Sequence, residues 1–300
     1  MRAATVDGRF CLVTDRGVVD VATASGGRFG PSPDAVYQAW DAFRAWSADA
    51  ELEGGEPISP TDFGPPSPCP SLIFAIGLNY RDHATESGVA PPSSPPTFTK
   101  FRSALAGPHG SLVIPDGTVD WEVELVAVIG RRAENVATER GWDHVAGLTV
   151  GQDYSERTRQ LEGATPQYSL AKSFRGFAPI GPVLVTPDEF DDPDDLRIQC
   201  DVNGVTMQDG RTSSLIFSVP ELVSRLSAIC SLEPGDLIFT GTPAGVGAAR
   251  TPPQFLRPGD VVTSSIENIG QIVQHCVSAE HDHAASPASA QPDPQPPSAR

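Results

Sequence analysis

Apolar and polar positions change period several times along the chain, and each change predicts an element. "GRFCLVTDRGVVDVAT" reads as two short strands around a turn at Asp15 to Gly17, an opening hairpin. In "PDAVYQAWDAFRAW", Val36, Trp40, Phe43 and Trp46 recur at helical spacing, with Ser32 placed to cap and Pro33 at the first helical position. "GGEPISPTDFGPPSPCP", Gly54 to Pro70, is too rich in proline and glycine for regular structure and reads as a joint. Strand-like runs then follow one another at Ser71 to Ala75, Glu122 to Ile129, Ala146 to Gln152, Gly181 to Thr186, Leu196 to Val202, Asp236 to Thr240 and Val261 to Ile266. Few helices separate them. The clearest is "SVPELVSRLSAIC", where Ser218 and Glu221 match a capping box ahead of Leu222, Val223, Leu226 and Ile229.

Many strands with long excursions predict an α+β chain, mainly β, of sandwich or rolled type. The expected organisation is a small N-terminal α+β accessory domain and linker over 1–70, a main domain over 71–278 and a disordered tail over 279–300. The tail expectation rests on "HDHAASPASAQPDPQPPSAR", which has almost nothing to bury.

Composition narrows the function classes. Over 300 residues, 38 acids against 21 bases give a net charge of −17, and clustered Lys and Arg are missing. Nucleic acid and anionic membrane are therefore not the expected partners. No apolar run is long enough to span a bilayer and no secretory signal precedes the first strand, so a soluble cytoplasmic protein is expected. The five cysteines, at 11, 69, 200, 230 and 276, are scattered without a C-x-x-C pair, which indicates neither a disulfide framework nor a zinc site.

The stretch "VDWEVELVAVIG" holds the main chemical question. Its second half looks buried on both faces, yet Asp120, Glu122 and Glu124 occupy the first half. In an extended chain these three acids share a face, with neighbours about 6 to 7 Å apart. An isolated Glu-x-Glu is ordinarily a solvated strand face, but Leu125, Val126, Val128 and Ile129 follow without alternation and imply burial. Buried like charges require a proton or a cation. "AGLTVGQDYSERTRQ" places Asp153 at the end of another apolar run. Carboxylates on fixed strands, without a Cys or His cluster, describe an oxygen-ligand site for Mg²⁺ or Mn²⁺ with positions open to water and substrate.

"IGLNYRDHATESG", "PPTFTKF", "DWEVELVAVIG", "GLTVGQDYSERTRQ", "LAKSFRGFAPIGP", "VNGVTMQDGRTSSLIF" and "LEPGDLIFTGTPAGVG", in this order, resemble the fumarylacetoacetate hydrolase family over about Ser71 to His275. The resemblance implies a mixed β-roll core, a homodimer or higher assembly, and a Mg²⁺ or Mn²⁺ site whose ligands match Glu122, Glu124 and Asp153. Asp120 is not a ligand in that pattern and reads as a neighbour of the ligands. Many relatives have Asn before the Asp153 position and Ala-Arg-Asp after the Ser, where this chain has Gln152 and "ERT", so the supporting hydrogen bonds are expected to differ.

The resemblance also puts a catalytic His and Glu at His83 and Glu86, which at a spacing of three share one helical turn. A carboxylate behind the imidazole fixes its tautomer and raises its basicity. Lys172 and Lys100 match positions facing the active site in the family, where an ammonium can neutralise a substrate carboxylate or enolate. Thr242, in "TGTPAGVG", and Gln160 match substrate-side polar positions. The glycine spacings 241, 245 and 247 fit neither a Walker loop nor a dinucleotide fingerprint, and no G-x-S-x-G elbow occurs.

These residues predict hydrolytic carbon-carbon cleavage of a 2,4-dioxo acid of the acylpyruvate kind, with His83 activating water and Lys172 stabilising the departing enolate. The alternatives at the same site are decarboxylation of oxaloacetate, isomerisation or decarboxylation of a hydroxymuconate-type diacid, and dehydration of a 2-oxo-3-deoxy sugar acid. A non-catalytic protein in which the ion only holds the acidic strands together is the alternative of another class, and retention of the His-Glu pair counts against it.

Overall fold

The computed structural model describes residues 1–50, 52 and 54–279. Its strands form two main sheets that pack face to face, the mixed and mainly β architecture expected from the apolar runs. At the centre of the eleven-stranded sheet lie Val145–Gln152, Val123–Ile129, Leu237–Phe239 and Ile73–Ile76, neighbours in that order. Val123–Ile129 and Val145–Gln152 run antiparallel from the pair Val123↔Gln152 to Val128↔Gly147. Every residue of both strands is buried, because the sheet is covered on both faces, and this removes the inside-outside alternation that ordinarily marks a strand.

The second sheet runs Val205–Arg211, Arg197–Val202, Val261–Ile266, Gly270–Ser278 and His109–Ile114. It packs over Val123–Ile129, Val145–Gln152 and Ala178–Val185. Three of its strands, His109–Ile114, Val205–Arg211 and Gly270–Ser278, go beyond the sequence expectation. Among the described residues no helix is long and apolar enough to cross a membrane.

The opening hairpin is present as Arg9–Thr14 paired with Gly17–Asp20. It joins the large sheet through Arg2–Val6, which pairs antiparallel with Ala178–Val185 at Arg2↔Val185. Segment 1–70 thus adds strands to the same sheet that carries the acids. The helix expected through Trp46 is divided into Pro33–Tyr37 and Trp40–Asp49. Ser32 caps the first part through Ala35 N as expected. The break at Gln38 and Ala39 stacks Tyr37 on Trp40 with ring centroids 5.5 Å apart while Phe43 meets Phe10 edge-on. Trp40 reaches the acid-bearing strand, since a Cβ on Gly130 would stand 2.7 Å from its indole. The proline-rich joint contains short regular pieces, Pro60–Asp62 and Phe63–Gly64, the latter paired with Arg2–Val6.

Helix Val219–Ser227 forms, but its predicted capping box does not. The Ser218 side chain makes no capping hydrogen bond, and the Glu221 carboxylate turns along the helix to Arg225 at 2.8 Å. Ile229, expected on the apolar face, lies past the helix end and is 83% exposed. The disordered tail expected over 279–300 lies, from residue 280 onward, outside the described residues.

Candidate metal centre and active site

Glu122 stands just before strand Val123–Ile129 and Glu124 within it, while Asp153 follows strand Val145–Gln152. Antiparallel pairing brings both strand ends together, and Asp153 N donates to Glu122 O at 2.9 Å. One carboxylate oxygen from each of Glu122, Glu124 and Asp153 lies within 4.8 Å of the others, and all three residues are buried.

Asp120 does not join them. The chain is interrupted at Trp121, and Val119–Asp120 pairs with Ser155–Glu156 rather than continuing the acid-bearing strand. The expectation that three acids share one face is corrected by that interruption. The fully buried Asp120 carboxylate instead accepts from Gly247 N at 2.7 Å, Ala248 N at 2.9 Å and Arg157 Nε at 2.9 Å.

Arg157 is the residue that sequence reasoning passed over. Its guanidinium reaches Asp120, Glu122 Oε1 at 2.7 Å and Gln160 Oε1 at 2.9 Å, which ties two acids and a cavity-lining amide into one unit. The signal was available: among the departures in "SERTRQ", Arg157 keeps the Arg of the Ala-Arg-Asp pattern. The departures themselves carry hydrogen bonds. Glu156 accepts from Thr118 N, Thr158 N and Arg159 N at 2.7, 3.1 and 2.7 Å, closing the turn that presents Arg157 and Gln160. Gln152 accepts from Glu122 N at 2.8 Å and donates to Ser264 in the second sheet at 2.9 Å.

The chain has two lysines, and both are buried at this cluster. Lys172 Nζ is 2.6 Å from both Glu122 Oε2 and Asp153 Oδ2. Lys100 Nζ donates to Asp153 Oδ1 and to the Lys172 carbonyl, so it acts on the site through those two residues rather than from the cavity wall. Burial pushes the Glu122 carboxyl up, but Lys172, Arg157 and His83 outweigh it and hold it down at about 2. Glu124 differs. Burial, Asp153 and Glu122 push its carboxyl well above the ordinary range. Burial lowers the Lys100 ammonium despite Asp153, whereas Asp153 and Glu122 keep Lys172 raised against the same burial.

This charge distribution fits a divalent cation. The donors are three hard oxygen anions from two strand ends, and burial together with the Asp153 and Glu122 carboxylates pushes Glu124 upward, so a cation there would relieve both the desolvation and the like-charge contact. Glu122, Glu124 and Asp153 would hold the ion.

A cavity of about 460 Å³ opens beside the cluster, and Glu122, Arg157, Gln160, Lys172 and Thr242 all reach it. His83 and Glu86 line it from helix Arg81–Glu86, with Nδ1 3.3 Å from Oε2. Leu78, Val89, Phe98, Leu161 and Val246 form its apolar part. Thr242 sits in the turn after Leu237–Phe239, and its hydroxyl donates to Val123 O at 2.8 Å. Gly241, at φ +100°, donates its N–H to Glu124 Oε2 at 2.8 Å, and a Cβ there would stand 2.8 Å from Asn79 Cβ.

The model of the fumarylacetoacetate hydrolase C-terminal family matches residues 72–277. The mitochondrial oxaloacetate tautomerase FAHD2A of Bos taurus is 43% identical over 223 residues, 74% of this chain and 71% of that one. The fumarylacetoacetate hydrolase domain-containing protein 2 homolog of Dictyostelium discoideum is 45% identical over 69% of this chain and 71% of its own. Among solved structures, a Mycobacterium smegmatis protein provisionally called HpcE superposes with a TM-score of 0.90 at 52% identity, covering 93% of this chain and all of that one. Maleylpyruvate hydrolase from Sphingobium sp. SYK-6, in complex with manganese(II) and pyruvate, superposes at 0.76 with 28% identity, covering 93% of this chain and 99% of that one.

Proposed function

This chain belongs to the fumarylacetoacetate hydrolase family, and on that premise we propose that it is a divalent-metal-dependent isomerase that interconverts keto and enol forms of a short 2-oxo acid, oxaloacetate being the first candidate. The observation that carries the reading is the convergence of a carboxylate-backed imidazole, His83, a buried ammonium, Lys172, and the carboxylate cluster on one cavity. The same premise includes a homodimer, to be tested by sedimentation.

Mg²⁺ or Mn²⁺ at Glu122, Glu124 and Asp153 would supply Lewis-acid polarisation of the 2-oxo group. His83 takes the proton from C3 of the keto form, since Glu86 holds Nδ1 and leaves Nε2 as the basic nitrogen. Lys172, next to the carboxylates, faces the oxygen on which negative charge develops, and proton return to that oxygen gives the enol. Arg157 keeps Glu122 and Gln160 in place on the cavity wall. The oxaloacetate tautomerase relatives support this substrate class.

A second reading, hydrolytic cleavage of a 2,4-dioxo acid, draws on two observations. His83 is equally suited to activating water, and the apolar wall of Leu78, Val89, Leu161 and Val246 would suit an acyl tail. The maleylpyruvate hydrolase neighbour agrees with it. The two readings separate in one assay. Enol absorbance of oxaloacetate and pyruvate release from acylpyruvates are followed with Mn²⁺, with Mg²⁺ and with chelator. Metal-dependent acceleration of enol decay without pyruvate release supports tautomerisation, and pyruvate release supports hydrolysis. Absence of both removes the catalytic proposal.

A further inference from the structure

Val123 is the residue between the two glutamates, and its backbone lacks a strand partner on one side. The ladder with Leu237–Phe239 ends at Val126↔Phe239, and Thr240 N still reaches Leu125 O at 3.1 Å. Beyond that point the neighbouring chain peels away into the turn at Gly241 and Thr242. A buried N–H and C=O left open there would be costly.

Side chains complete the ladder. Val123 N donates to Gln208 Oε1 at 3.0 Å, and Val123 O accepts from the Thr242 hydroxyl at 2.8 Å. Gln208 Nε2 donates to Thr242 Oγ1 at 2.7 Å and to Pro243 O at 2.8 Å. The result is a closed ring through Val123 N–H, the Gln208 amide, the Thr242 hydroxyl and Val123 C=O. Its orientation is determined by its partners, because a backbone N–H can only donate and the Pro243 carbonyl can only accept. Gln208 comes from an otherwise well-exposed strand, Val205–Arg211, with Val205, Thr206 and Asp209 outward and this one amide 1% exposed.

We infer that Gln208 is a positioning residue of the metal centre: its amide takes the place of a missing strand at Val123 and so fixes how far apart and in what direction Glu122 and Glu124 present their carboxylates. The inference rests on the metal-centre reading above and adds a residue of the second sheet, distant in sequence from every acid of the site. Two carboxylates at i and i+2 meet one ion only if the intervening residue keeps its pleat. Loss of the amide therefore acts on metal affinity first and on turnover at saturating metal little.

The test is calorimetric titration of Mn²⁺ into metal-stripped protein, with melting temperature measured alongside. Gln208→Met, close in shape and unable to hydrogen-bond, is expected to weaken Mn²⁺ binding on the order of 10-fold or more. Thr242→Val breaks the same ring, so the double variant should lose less than the two single losses combined. Ser67→Ala removes another buried hydrogen bond, from Ser67 Oγ to Gly235 O at 2.6 Å, and is expected to lower melting temperature with Mn²⁺ affinity unchanged. If Gln208→Met does not fold, Gln208→Asn, which keeps the amide but withdraws it, takes its place with the same expected direction. Binding by the folded variant within about twofold of wild type, against the loss anticipated above, overturns the inference. A wild-type protein that takes up no Mn²⁺ overturns the metal reading itself, and the inference with it.

Discussion

The Nδ1 of His83 stands 3.3 Å from Oε2 of Glu86, and both Glu86 oxygens are held by the Gly245 N–H at 3.0 and 3.1 Å. The imidazole is thus backed by a carboxylate that is itself anchored to Gly245, in the turn that carries Thr242. His83→Ala is expected to lower kcat by roughly 10²- to 10⁴-fold with Mn²⁺ affinity intact. Glu86→Gln replaces the anchored carboxylate behind Nδ1 with a neutral amide and should lower kcat by about 10-fold with Mn²⁺ affinity intact. A wild-type kcat in Glu86→Gln would remove Glu86 from the mechanism.

Metal uptake should depend on pH through Glu124. Its carboxyl lies well above its ordinary value of 4.5 in the metal-free protein, so it keeps a proton at pH values where a solvated glutamate has lost it. A cation must displace that proton, and affinity is expected to rise with pH above 4.5 until the raised value is passed. Calorimetry in two buffers of different ionisation heat measures the release, with fewer protons freed as pH increases. Uptake with no proton release anywhere between about pH 5 and 8 contradicts the assignment.

Glu122 behaves in the opposite sense. Its carboxyl is held at about 2 in the folded chain against 4.5 ordinarily, so its pairing stabilises the metal-free protein above pH 4.5. That stability is lost as pH falls toward 2, the direction expected of a depressed acid. Lys172→Met removes the cation that bridges Glu122 and Asp153 and should cost about 3 to 5 kcal/mol in urea unfolding near neutral pH. Mn²⁺ should restore part of the loss. A variant that unfolds at the wild-type urea midpoint would show that the buried contacts contribute nothing net.

Arg157→Lys keeps a positive charge but not the three-way fork to Asp120, Glu122 and Gln160. It is expected to raise KM about 10-fold, since Gln160 loses its anchor on the cavity wall, and to lower stability by about 2 kcal/mol. Steady-state kinetics and urea titration on the same preparation give both numbers. Unchanged KM with reduced stability would confine Arg157 to the fold.

Much of this arrangement is legible in the sequence where local pattern and tertiary role agree. The unbroken apolar run after Glu124 signals a strand covered on both sides, and that is what forces a counter-charge on the acids. Legibility fails where the partner of a group comes from far along the chain. Nothing near Asp120 indicates that Gly247 and Ala248 will supply its donors, and the helical spacing through Trp46 does not reveal that the helix divides at Gln38 and Ala39, between the stacked Tyr37 and Trp40. Strand Val205–Arg211 was missed although Asn203-Gly204 before it is a hairpin-turn signal, with both residues at positive φ. Its exposed residues are polar or lone apolar side chains, Met207 is half-buried against the core, and Gln208, the one fully buried residue, is itself polar, so the usual alternation of apolar and polar positions is absent.

The sealing of both ammonium side chains among carboxylates has a practical reach. Lys100 has a side chain with no exposed surface and Lys172 one with 4%. Amine-directed acylating reagents therefore meet no side-chain target on the folded surface: Lys172 is approached only from the cavity, and Lys100 only once its contacts to Asp153 and the Lys172 carbonyl part. A chemical label commonly spread across a whole protein becomes, in this chain, a gauge of access to one buried place.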